Sequence, residues 1–115
     1  MTPRENRIWL AALLEGEGWF SLKNPQGPRR PSISVGIKMT DADVVQRAAC
    51  LMKGTAKPRE DKRSERFNTC WECVVSGAKA EKVMRDILPF MGSRRRAKIV
   101  ELLETDNLSH RRATK

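Results

Sequence analysis

Cys70-Trp71-Glu72-Cys73 is a close pair of thiols, and C-x-x-C spacing can serve zinc or dithiol chemistry. Neither use fits. The segment alternates as a strand, where positions i and i+3 point to opposite faces, so zinc would have to recruit Cys50 or His110 from afar. A redox pair needs a helix N-terminus, which this segment lacks. His110, the sole histidine, lies in a basic stretch and reads as solvated. No G-x-S-x-G, no H-E-x-x-H and no glycine-rich phosphate loop after a strand occurs. Two features with chemistry in them remain: the acids of Glu15-Gly16-Glu17-Gly18 and the cations of Arg94-Arg95-Arg96, which suit phosphate or plain solvation.

Charge narrows the partner. The chain of 115 residues carries 23 Lys and Arg against 14 acids, a formal charge of +9. Such a balance favours a polyanion. The longest apolar run, Ile8 to Leu14, is far short of the roughly 20 residues of a membrane span, and it ends in acids and glycines rather than a signal cleavage site. With an odd three cysteines, the thiols read as reduced. The expectation is a soluble, intracellular protein, not secreted and not in a membrane.

The elements that must position these groups follow from local patterns. Thr2-Pro3-Arg4-Glu5 has the spacing of a capping box with Pro at the first helical position, so a helix starts at Pro3. From Ile8 to Leu14 its side chains are apolar all round, which leaves no face for water. A strand over Trp19–Lys23 and a turn-rich loop lead to the clearest strand, in which Ile33, Val35, Ile37 and Met39 alternate with Ser34, Gly36 and Lys38. A helix from Thr40 or Asp41 to Lys53 ends at Gly54, and a weak strand spans Thr55–Arg59. The fourth strand runs from Phe67 to Val75, with Ser76 capping a helix from Ala78 to about Met91. A last helix opens at Ser93 with Arg94, Arg95 and Arg96 in its first turn, against the macrodipole. Residues 1–105 form one domain, and 106–115 a basic tail that frays.

Two hairpins and their helices make an α+β fold, αββαββα(α), with a four-stranded antiparallel sheet and the helices on one face. That face carries Phe20, Leu22, Val35, Ile37, Trp71 and Val75. The other is open, with Ser21, Lys23, Ser32, Ser34, Lys38, Asn68 and Glu72, groups suited to reading base edges or to solvent.

Leu10-Ala11-Ala12-Leu13-Leu14-Glu15-Gly16-Glu17-Gly18 resembles, position by position, the LAGLIDADG motif of homing endonucleases. Gly18-Trp19-Phe20 is similar to the motif's exit into the first strand, the element order follows the family's core, and Leu88-Pro89-Phe90 before a basic run is similar to its C-terminal segment. The likeness covers about residues 3 to 104. Ala12 and Gly16, four apart, give a small-residue ridge on which two helices can approach closely.

The resemblance implies a sequence-specific, homodimeric double-strand DNA endonuclease of the intron-mobility type, since single-motif members pair through this helix. It implies a dimer contact through Ile8, Ala11, Ala12, Glu15 and Gly16. It also implies Mg²⁺ or another divalent cation, with Glu17, at the second acid of the motif, and Gly16 as ligands. Glu15, at the first acid, is structural. The catalytic pair is Glu17 with Arg94, whose role is electrostatic, and Arg96 or Lys98 are alternatives. The expected DNA-binding set is Ser21, Lys23, Arg29, Arg30, Ser32, Ser34 and Lys38 on the first hairpin, Arg59, Lys62, Arg63, Asn68 and Glu72 on the second, and Arg95, Arg96 and Lys98 on the last helix. If the complex engages about 6 to 10 phosphates, affinity should fall by orders of magnitude between low and moderate salt. Glu stands at both acidic positions where Asp is usual, Ala12 stands where Gly is usual, and Lys38-Met39 stands where many members place a water-positioning Gln. The alternative on the same scaffold is a non-cleaving DNA regulator or an intron-RNA maturase.

Overall fold

Thr2 caps the first helix, α1 (Pro3–Glu17), as its spacing predicts. Its hydroxyl accepts from the Glu5 N–H at 3.1 Å, and the Glu5 carboxylate accepts from the Thr2 N–H at 3.0 Å. Hydrogen bonding to Thr2 holds the Glu5 carboxyl below the usual carboxylate range. The computed structural model describes residues 1–23, 31–60 and 69–113, with side chains as far as residue 107. After α1 come β1 (Gly18–Lys23), β2 (Ser32–Met39), α2 (Ala42–Met52), β3 (Lys57–Glu60), β4 (Thr69–Ser76), α3 (Ala78–Ile87), a 3-10 turn over Leu88–Phe90 and α4 (Ser93–Ala113). This is the α+β order expected from the periodicities.

The strands form one antiparallel sheet in the order β1-β2-β4-β3. Register places Phe20 opposite Val35, Leu22 opposite Ile33, Ile37 opposite Cys73 and Met39 opposite Trp71, which gathers the apolar residues on one face. Leu14, Val45, Ala48, Met84, Ile87 and Ile99 from the four helices close over that face with no exposed surface. Among the described residues, the opposite face carries no helix. Among the described residues, no helix is long and apolar enough to cross a membrane.

Four local expectations are corrected. Gly54 is not the left-handed residue that ends α2: Lys53 takes that conformation at φ 62°, and its N–H bonds to the carbonyls of Ala49 and Cys50. Gly54 is required for space, because a Cβ there would lie 2.7 Å from Val75 Cγ1 and 2.8 Å from Cys73 Sγ. Gly77, at φ 64°, takes the N-cap of α3 instead of Ser76 and offers no side-chain cap. The third helix gives way at Leu88 to the 3-10 turn, where Pro89 supplies no N–H. Finally, α4 passes Thr105 without a break and runs to Ala113, with Leu102, Leu103 and Asp106 buried along it.

Cys73 is sealed between β2 and the helices at 1% exposure, whereas Cys70, three residues away, faces the open side and Cys50 is exposed. The C-x-x-C pair is therefore split across the sheet, as strand geometry requires. Burial pushes the Cys73 thiol up. A thiol raised in this way stabilises the fold below its unfolded pKa, and that contribution is lost as pH rises through the folded value. With a disulfide reagent at pH 8, Cys50 should react fast and Cys73 at least ~100-fold more slowly, until urea unfolds the chain. Peptide mass mapping of the labelled thiols reads this directly, and equal labelling of both would refute the buried placement.

Candidate active site and nucleic-acid interface

Helix α1 divides its apolar circumference unequally. Leu10, Ala11 and Leu14 are buried in the chain's own core, whereas Ile8 is 42% exposed and Ala12, Glu15 and Gly16 are exposed. Positions 8, 12 and 16 make one stripe along the helix, bordered by Glu15, and no other described element covers it. Ala11, expected in this contact, belongs to the core instead: at 1% exposure it faces the chain's own fold. Gly16 lies in open space, since a Cβ built there would meet nothing within 4 Å. Its smallness fits no neighbour among the described residues, and it leaves the helix backbone bare.

Glu17 is the last residue of α1 and is exposed. The chain turns into β1 directly after it, at a tight place. The Gly18 N–H bonds to the Leu14 carbonyl, and a Cβ on Gly18 would sit 2.6 Å from Leu14 Cδ2 and 2.9 Å from Leu14 Cα. Backbone so close cannot yield cheaply. Gly18→Ala should cost about 1–3 kcal/mol in urea unfolding and displace the helix end that carries Glu17; an unchanged urea midpoint would contradict this packing.

The first turn of α4 meets that helix end. Arg95 Nη1 donates to the Gly18 carbonyl at 2.9 Å, with its guanidinium 5.7 Å over the Phe20 ring and its buried Nε without a partner. Arg94 and Lys98 are exposed beside it and line a shallow cleft with Trp19 and Phe20. Arg94 was the basic residue singled out in the sequence, but Arg95 is the one tied to the acidic turn. Arg96 points elsewhere, donating to the Pro89 carbonyl at 3.3 Å and lining a different hollow with Val100 and Glu101. It does not line the cleft beside Gly18, but it stays exposed on α4.

Glu15 settles against the start of α4, where a Cβ on Gly92 would lie 2.6 Å from Glu15 Oε1. Gly92 accepts the Arg96 N–H at 2.9 Å, so this carboxylate sits by the positive end of the helix. It offsets the clash between the macrodipole and the arginine-rich first turn, which sequence reasoning left unresolved. Among the described residues, no three His, Cys, Asp or Glu side chains come together as a metal cluster.

On the open face of the sheet, Lys23 and Lys38 are exposed, and Ser21 and Ser32 half-buried. Glu72 lies opposite Lys38 and Lys57 in register and pairs with Arg59 at 3.4 Å. Ser34 shares this face but has no exposed surface: on the central strand, between β1 and β4, it shares a 2.7 Å hydrogen bond with Ser21. It is therefore withdrawn from the expected DNA contacts. Trp19, which sequence reading did not place on this face, sits on Gly36, where a Cβ would come 2.2 Å from Trp19 Cζ2. Alternation from Ser21 and Lys23 was the signal for it. Arg29, Arg30, Lys62, Arg63 and Asn68 lie outside the described residues.

The arrangement matches solved structures of DNA-bound enzymes. The homing endonuclease I-CvuI, in complex with its target in the presence of calcium, superposes at a TM-score of 0.68 and 14% identity, over 88% of this chain and 65% of that one. The chain has the homing-endonuclease fold. I-CvuI on a second target, with magnesium and DNA not cleaved, matches this fold at 0.61 and 15% identity over 90% of this chain and 71% of that one. An archaeal intron-encoded homing endonuclease complexed with DNA matches it at 0.61 and 16% identity, over 95% and 69% respectively. The chain thus spans 65% of the length of the first of these homing endonucleases. No family model and no curated protein matches the sequence.

Proposed function

We propose that the chain is a homodimeric, divalent-metal-dependent DNA endonuclease that cuts both strands of a long, nearly palindromic duplex. The observation that carries this reading is an exposed carboxylate, Glu17, at the end of a helix whose stripe of Ile8, Ala12 and Gly16 nothing among the described residues covers. Two copies joined along that stripe form a self-complementary contact and bring their Glu17 side chains to the two-fold axis. One acid per chain accords with the lack of a ligand cluster among the described residues of a single copy.

The donors at this point are hard oxygens, the Glu17 carboxylate and the Gly16 carbonyl at the exposed helix end. They suit Mg²⁺, which keeps its waters and takes one or two carboxylates plus phosphate, and they do not suit a thiolate metal. When bound, the cation supplies neutralisation of phosphate charge and a water activated as nucleophile at neutral pH. Arg94 and Lys98, which line the cleft with Trp19 just past the acidic turn, supply fixed positive charge for the phosphate as it gains charge in the transition state. Arg95 acts at one remove, holding the Gly18 carbonyl and hence the Glu17 turn. Lys23, Lys38 and Arg59 attract the phosphate backbone along the open sheet.

The test is a library of duplexes carrying candidate palindromic sites, incubated with purified protein in Mg²⁺ or in EDTA. Paired breaks with 3′ overhangs in Mg²⁺ and intact DNA in EDTA are expected. Tight binding without breaks in either would overturn the enzyme in favour of a non-cleaving DNA binder. Binding to intron RNA but to no duplex would favour the maturase.

A further inference from the structure

Behind the sheet, on the layer of helices, a cavity of about 420 Å³ opens to solvent along one side. It lies between the N-terminal half of α1, the end of α2 and the first turns of α3. Leu10, Leu51, Met52 and Val83 give it predominantly apolar walls. Arg7, Lys53 and Lys79 stand at its margin, and none of them makes an ion pair among the described residues. The lone acid there, Asp86, is already paired with Lys82 at 3.3 Å. Gly77, just before the first turn of α3, gives its N–H groups no side-chain acceptor.

The volume is that of a small-molecule site, apolar with a few polar groups that orient the ligand. A polynucleotide is too polar throughout to fill such walls, and a neutral hydrocarbon would leave the cations unused. We propose that this cavity binds a small amphiphilic anion, with its apolar body against Leu10, Leu51, Met52 and Val83 and its head group between Lys53 and Lys79. The site is on the opposite side of the sheet from the open face, so its occupancy and that of DNA are independent. It does not rest on the nuclease reading.

Anilinonaphthalene sulfonate, an aromatic body with one anionic group, is the probe. Titrated into the full chain, its fluorescence should saturate at one molecule per chain, with a Kd of about 10–100 µM, ordinary for a ligand of this size. Decanoate should displace it, and decanol, the same body without charge, should do so at least ~5-fold less well. Lys79 is exposed in the first turn of α3, where an acid suits the helix, and Asn keeps the left-handed cap that Lys53 forms on α2, so both changes spare the fold. Lys53→Asn with Lys79→Glu should weaken decanoate by about 10-fold and leave decanol unchanged. Asn6→Phe, projecting into the cavity from α1, should abolish both, and Leu51→Phe does the same from the facing wall if the first variant misfolds. The proposal is overturned if the dye does not saturate, if decanol and decanoate compete equally, if the filling variants leave binding intact, or if saturating duplex DNA expels the dye.

Discussion

Glu17→Gln is expected to cut the rate of DNA cleavage by at least ~10³-fold while leaving duplex affinity within about threefold. The two side chains have the same shape, and Glu17 is exposed at the end of α1 with no packing role, so the thermal midpoint should not move. What the change removes is charge. Two carboxylates near a two-fold axis repel one another and the phosphates alike, which only cations between them relieve. In EDTA the neutral variant should therefore bind DNA slightly more tightly than the parent, while in Mg²⁺ it should lose the ions and the chemistry together. Gel quantification of single-turnover cleavage, beside binding by anisotropy, separates the two effects. A Glu17→Gln protein that cuts at the parental rate would remove this residue from the active site, and with it the proposed mechanism.

Ala12→Glu should convert the protein to a monomer, weakening self-association by about 100-fold or more, and should abolish double-strand cleavage with it. Ala12 is exposed in the single chain, and Glu is a good helix former, so the fold itself should change by no more than about 0.5 kcal/mol. In a helix pair packed along Ile8, Ala12 and Gly16, however, the larger side chain holds the backbones apart and sets like charges opposite each other across the axis. Sedimentation velocity at micromolar protein measures the outcome. Val100→Glu, at an exposed apolar residue of α4 rather than α1, is the control and should leave assembly unchanged. A dimer that survives Ala12→Glu would place the interface elsewhere and leave each Glu17 without its twin.

Much of this was legible in one dimension. The capping box of Thr2 and Glu5, the alternation through Ile33–Met39 and the spacing of Val83, Met84 and Ile87 each prescribe an element, because backbone hydrogen bonding and side-chain period are local properties. The split of Cys70 from Cys73 followed from the same rule. The boundaries that failed were settled by contacts distant in the chain. Lys53 accepts a left-handed backbone because Gly54 must lie flat against Cys73 and Val75, and the buried side of α4 extends past Thr105 to Asp106.

The candidate site divides along the same line. Which residue types could bear charge chemistry, and that an apolar helix led up to two acids, the sequence determined unaided, since charge and hydrophobicity belong to each residue wherever it sits. Only the tertiary structure decided that Ala11 is consumed by the core while Ala12 is left bare, that Glu15 is taken up by the start of α4 while Glu17 is exposed, and that Arg95 rather than Arg94 grips the turn just after them at Gly18. Neighbours on a helix differ by about 100° in direction, so residues alike in composition face different surroundings, and those surroundings come from segments some 80 residues away in the chain.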